Sequence, residues 1–235
     1  MRWLGLSPWY SSAAVLEDFR LFQLASPNLP IGAFTYSQGL EWAVEAGWVS
    51  DVDALHDWLR SVLWHSLVLG ELPLIRRAMR ATDEGDLAAF EHWAQALVAT
   101  RETRELRTEE HQRGAAFLRV ITRLPLTVDP LWHDALAQAQ ATGFGYAAAQ
   151  WGLKPDAACR GYLWSWLEGA VVAGVKLVPL GQTQGQQLMA ALSTELVRAC
   201  EASRDIDDDD IGPSTFAMAI ASSRHETQYT RLYRS

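Results

Sequence analysis

Residues 50–67 read SDVDALHDWLRSVLWHSL. Val52, Leu55, Trp58, Leu59, Val62 and Leu63 recur at three- and four-residue steps, which places them on one stripe of a helix with 3.6 residues per turn. Ser50 and Asp53 have the form of an N-terminal capping pair. The same spacing returns in GDLAAFEHWAQALVAT (85–100) through Leu87, Phe90, Trp93, Ala94 and Leu97. The two-residue alternation of β-branched residues that marks a half-buried strand is almost absent. Asp129 and Pro130 suit the cap and first turn of a helix reaching about Ala141, after which Gly143 and Gly145 predict a break. Another helix is expected from Pro155 or Asp156 to Pro179, and a further one from there to about Ala202. The expectation is an all-α chain, a single-domain helical bundle of about eight to ten helices.

At 235 residues, with 49% hydrophobic and 20% charged residues, the chain is long enough to build one substantial core. Its net charge of −8 argues against a protein that holds nucleic acid through phosphate contacts, so no nucleic-acid partner is expected. The start, MRWLGLSPWYSSAAVLED, is broken by Ser7 and Pro8 before a signal-peptide core can form, and residues 1–20 read as a flexible leader. Glu168, Lys176 and Pro179 interrupt the best apolar run, so no membrane span is expected. The body is placed at 21–203. An acidic loop follows at 204–212, where four consecutive aspartates read as a solvated turn, and then a C-terminal helix and tail at 213–235. Cys159 and Cys200 are far apart and form no C-x-x-C, which suggests neither a disulfide framework nor a zinc knuckle and fits a reducing cytoplasm. Eleven tryptophans could anchor either a core or an interface.

Familiar catalytic motifs are missing: no Walker loop, G-x-G-x-x-G, H-E-x-x-H or G-x-S-x-G occurs. The histidines at 56, 65, 92, 111, 133 and 225 share no spacing that would pair two metal ligands on one helix face. TRETRELRTEEHQ (100–112) reads either as an exposed helix face or as a surface for a partner. Arg101 and Arg107 precede acids at helical spacing, yet Glu105 and Glu109 repel each other. ASPNLPIGAFTYSQGLEWA (25–43) is a loop stiffened by Pro27 and Pro30 and turned at Gly32, either a capping turn or a display of hydroxyls. In VVAGVKLVPLGQTQGQQ (171–187), Lys176 falls opposite the stripe of Trp164, Leu167, Val171, Gly174, Val175 and Val178. It shares its side with Ser165, Gly169, Val172 and Ala173, so it should lie at the rim of a small-residue strip, near water or an acid.

Four blocks in order, LFQLASPNLPIGAFTYSQGLEWAVEAGWV (21–49), TRETRELRTEEHQRG (100–114), KLVPLGQTQGQQLM (176–189) and HETQYTRLYRS (225–235), resemble the UreF family of urease accessory proteins. The resemblance implies an all-helical, non-enzymatic protein that serves nickel insertion into urease, forms a homodimer, joins UreD (also called UreH) and recruits the GTPase UreG to apo-urease. It implies no bound cofactor, since nickel is cargo. By position it assigns Tyr36, Ser37, Glu41, Glu105, Lys176 and His225 to a face toward UreG, and Gln228, Tyr229, Arg231 and Leu232 to docking on UreD. Thr35, Thr230 and Tyr233 are ordinary variation. The alternative is a direct GTPase-activating protein in which an arginine such as Arg104 acts as a catalytic finger.

Overall fold

Side-chain caps set three of the helix starts. Asp51 accepts the Ala54 N–H at 2.9 Å, Asp86 that of Ala89 at 2.9 Å, and Thr103 that of Leu106 at 3.2 Å; each satisfies an orphan donor of a first turn. The first helix after residue 50 is therefore capped by Asp51, while Ser50 only donates to that carboxylate. The computed structural model describes residues 12–212 and 215–235. Its helices are α1 (Ser12–Ala25), α2 (Leu40–Glu45), α3 (Val52–Val62), α4 (Glu71–Glu84), α5 (Leu87–Ala99), α6 (Arg104–Ile121), the single turn α7 (His133–Leu136), α8 (Gln140–Gln150), α9 (Pro155–Leu177), α10 (Gln182–Ala202) and α11 (Phe216–His225). No strand occurs among the described residues. The all-α expectation holds, and α9 and α10 fall where Pro155, Pro179 and Ala202 placed them.

Of the expected leader, residues 1–11 lie outside the described residues. Residues 12–20 belong to α1, which packs along α9, and Arg20 donates to the Trp151 carbonyl at 3.3 Å. The acidic segment is largely exposed, but it is fastened at one point: Arg77 pairs with Asp208 at 2.7 Å and donates to the Ile206 carbonyl at 2.6 Å.

The centre is α8, which packs on α4, α6 and α9 and buries every residue from Gln140 to Ala148. The break expected at Gly143 and Gly145 is not there. A helix instead begins where the expected one was to end: Asp129 caps only a 3-10 turn before α7, and Ala139 is extended before Gln140. Both glycines serve close packing. A Cβ on Gly145 would stand 2.8 Å from the Ile75 carbonyl oxygen of α4, so the two backbones touch where any side chain would hold them apart. Around this centre, Phe90, Phe117, Phe144, Leu72 and Ile75 are fully buried. Of the tryptophans, Trp151 is buried, Trp48 and Trp164 are exposed, and Trp3 and Trp9 lie outside the described residues. No helix among the described residues is long and apolar enough to cross a membrane.

Candidate partner-binding site

Three segments distant in sequence meet at one end of α6: the loop 31–38 with α2, the first turns of α6, and α11 with the tail 226–235. Gly39 makes the junction possible. Its φ of +83° is left-handed, and a Cβ there would meet the Ser222 backbone nitrogen at 2.8 Å, so only glycine lets α2 lie against α11. Gln38 also takes a positive φ, of 54°, which aims its amide at Glu109, 3.0 Å away.

His225 is the hub, with its side chain 0% exposed. Its Nε2 lies 3.2 Å from Glu41 Oε2 and its Nδ1 2.8 Å from Glu105 Oε2. A carboxylate only accepts, so the doubly protonated ring is the form that donates to both. The same two acids gather the tail. Glu41 accepts the N–H groups of Leu232 at 2.6 Å and Tyr233 at 2.8 Å, and Glu105 pairs with Arg231 at 2.7 Å. Ser37 Oγ donates to the Ser235 carbonyl at 2.6 Å, and Ser235 Oγ to Glu109 at 2.7 Å. Tyr36 donates to Gln112 at 2.7 Å, and Gln228 donates to Glu45. The tail thus lies on the body as an ordered strap, with Tyr233 and Ser235 buried.

Below the strap the charged run of α6 turns inward, contrary to an exposed face. Arg101, Glu109 and Glu110 are buried. Arg101 pairs with Glu71 at 2.9 Å and Glu110 at 2.8 Å, rather than with Glu105. Arg107 donates to the Arg101 carbonyl at 2.6 Å instead of reaching Glu110. Arg113 joins Glu109 at 2.9 Å to Gln140 at 2.8 Å. Burial alone would push the Glu110 carboxyl up, but the charges of Arg101 and Arg113 outweigh it and hold that group below the usual carboxylate range. Burial would likewise lower Arg101, and the two acids raise it instead. One cleft runs from Ser37 and Gln38 over Glu109 and Arg113 to Gly169 and Ala173 of α9. Its volume of about 80 Å³ holds a handful of waters, well short of the roughly 300–1,000 Å³ of small-molecule sites.

The structure therefore brings together Tyr36, Ser37, Glu41, Glu105, His225, Arg231 and Leu232, which the resemblance had divided between two partners. Gln228 and Tyr229 flank them. Lys176 is not part of this cluster: it is exposed in the last turn of α9, and its side chain makes no ion pair with a described residue. A cation there also suits the helix dipole. Sequence reasoning missed Gln38, Glu71, Arg101, Glu110, Arg113 and Ser235. The repelling pair Glu105 and Glu109 was the available signal, because both acids take partners from across the fold, His225 and Arg231 for Glu105 and Gln38 and Ser235 for Glu109. No group of three or more His, Cys, Asp or Glu side chains suited to a metal ion occurs among the described residues.

Such a chain is an all-helical protein whose polar side chains converge on a strapped surface. It belongs to the UreF family of urease accessory proteins: the UreF family profile matches residues 49–193. The urease accessory protein UreF of Alcanivorax borkumensis is 54% identical over 223 residues, covering 92% of this chain and 97% of the relative. The proteins of that name from Pseudomonas putida and Klebsiella pneumoniae are 49% and 47% identical, over 94% and 93% of this chain and 98% of each relative.

Proposed function

We propose that this protein serves nickel insertion into urease as a non-catalytic platform in the cytoplasm, binding UreD through its tail and recruiting UreG beside it. The strap carries this reading. Its backbone is consumed by the hub, yet Tyr229 is 104% and Leu232 69% exposed, so the tail presents apolar side chains on a fixed frame, as a pre-organised docking surface does. The two partner faces share Glu105, which pairs with His225 on one side and Arg231 on the other. Binding at one face therefore acts on groups of the other, and any coupling to the GTPase requires different affinity for its nucleotide states. Homodimerisation belongs to the same reading, and exposed Trp164 and Val172 on α9 supply apolar surface for it.

Co-purification of tagged protein with UreD and UreG tests it. Tyr229→Ser combined with Leu232→Asp should lose UreD, and UreG with it, while helical circular dichroism stays as in the wild type. Lys176→Ala should keep UreD and weaken UreG recruitment. Unchanged recovery of UreD by the double variant would sink the docking assignment.

A second reading has one observation in its favour. Arg104 is exposed at the edge of the same surface, held only by a 3.5 Å contact to Glu226, and is free to reach a partner's nucleotide as a finger. It predicts that this protein alone accelerates GTP hydrolysis by UreG and that Arg104→Ala abolishes the effect. Equal rates in the two proteins would dismiss it.

A further inference from the structure

Cys159 and Cys200 stand far apart in sequence, but α9 and α10 pack along each other and bring the thiols together, 0% and 2% exposed. Cys200 Sγ lies 3.8 Å from the Asp156 carbonyl oxygen, on the turn of α9 that ends at Cys159. Cys159 Sγ lies 3.9 Å from the Leu72 carbonyl of α4. The two sulfurs are near enough for each to shift the other's titration. Buried cysteines usually act as small apolar groups, but this pair has a charged neighbour. The Arg76 guanidinium comes within 3.7 Å of Cys200 Sγ while its other nitrogen pairs with Asp156 at 2.8 Å. The neighbouring Cys159 side chain holds the Cys200 thiol down, against burial and with help from Arg76. The Cys200 side chain, together with burial, pushes Cys159 up. The geometry thus sets a sulfur beside a guanidinium and a second sulfur on the neighbouring helix, the arrangement of an attacking and a resolving cysteine. A guanidinium at this distance and the lack of a third ligand among the described residues make the pair a poor metal site.

We propose that Cys159 and Cys200 are a peroxide-responsive dithiol that closes to an intramolecular disulfide tying α9 to α10. The Cys200 thiolate attacks one oxygen of hydrogen peroxide; the O–O bond breaks, leaving sulfenic acid, and the departing hydroxide takes up a proton to become water. The Cys159 sulfur then attacks the sulfenic sulfur, the S–O bond breaks, and the thiol proton leaves with the hydroxyl as a second water. Two thiols are oxidised and one peroxide is reduced. In a reducing compartment such a bond is transient and signals oxidation. Arg76, which touches Cys200 Sγ, also lines a cleft with Pro155 and Arg204, the approach that the proposal assigns to a molecule as small as peroxide.

The test treats the full chain with hydrogen peroxide, quenches it, denatures it and alkylates with N-ethylmaleimide. We expect both thiols to escape alkylation, a mass loss of two hydrogen atoms, a cross-linked peptide joining residues 159 and 200, and full reversal by dithiothreitol. The closed form should unfold at a higher temperature than the reduced one, because the bond restricts the unfolded chain. In Cys159→Ser, Cys200 should stop at a sulfenic acid that dimedone traps. The wild-type readout is direct, so it does not depend on that variant folding. The proposal is overturned if both thiols stay alkylatable at a peroxide dose that consumes a free thiol standard, or if oxidation yields separate sulfinic acids or disulfides between chains.

Discussion

Arg101→Met is expected to cost about 3–5 kcal/mol, the usual penalty when one partner of a buried ion pair is removed, and to lower the unfolding temperature by roughly 10 °C at this chain length. The cause is what remains. Glu71 and Glu110 are buried, and Arg101 bridges them at 2.9 and 2.8 Å. Methionine fills the space and leaves two carboxylates without their shared cation. Acidification separates this cause from lost packing. In the wild type the Glu110 carboxyl lies below its ordinary value, so its contribution is present above the ordinary carboxylate range and is lost as pH falls through the depressed one. In the variant burial dominates and raises that group, so the folded state gains protons and the deficit narrows on mild acidification. Thermal melts of both proteins across the carboxylate range check this, and a deficit independent of pH would assign the loss to packing alone.

His225→Leu should cost about 3 kcal/mol, at the lower end of the same scale because Glu41 and Glu105 keep backbone and Arg231 partners, and it should release the strap. Glu41 and Glu105 would face each other across an apolar side chain, with the N–H groups of Leu232 and Tyr233 bound to an acid that has lost its imidazole partner. Trypsin reports the release directly, since Arg231 and Arg234 lie in the strap and should be cut in the variant under conditions where the wild type resists. Binding of UreD should fall in parallel. His225→Gln, which keeps one donor, should retain part of the stability. A variant as trypsin-resistant and as heat-stable as the wild type would remove His225 from the hub.

What the sequence made legible was periodic. The stripes on α3 and α5, and the prolines bounding α9 and α10, are local patterns of apolar spacing and backbone chemistry, and they were read correctly. Gly143 and Gly145 misled because glycine signals both a helix break and a close helix contact, and only the position of Ile75 on another helix distinguishes the two. The site was half legible. Tyr36, Ser37, Glu41, Glu105 and His225 could be picked out by resemblance, but their convergence with Arg231 and Leu232 depends on α11 folding back against α2 at Gly39. Arg101 looked like a surface residue because its partners, Glu71 and Glu110, lie on two different helices, and no window along the chain contains all three. Lys176 was read correctly as exposed on the side of Ser165 and Gly169, and its separation from the hub follows from where the loop 31–38 crosses α9.

The strap also has a place in time. Ser37 meets Ser235, and Glu41 meets His225, across nearly the whole length of the chain. Contacts between such distant residues carry a high closure entropy and form late. The helical body can therefore pack before residues 225–235 engage it, whereas the strapped surface cannot form until they do. A chain can thus be folded and still lack this surface, so its presence reports that the contacts of longest span are in place.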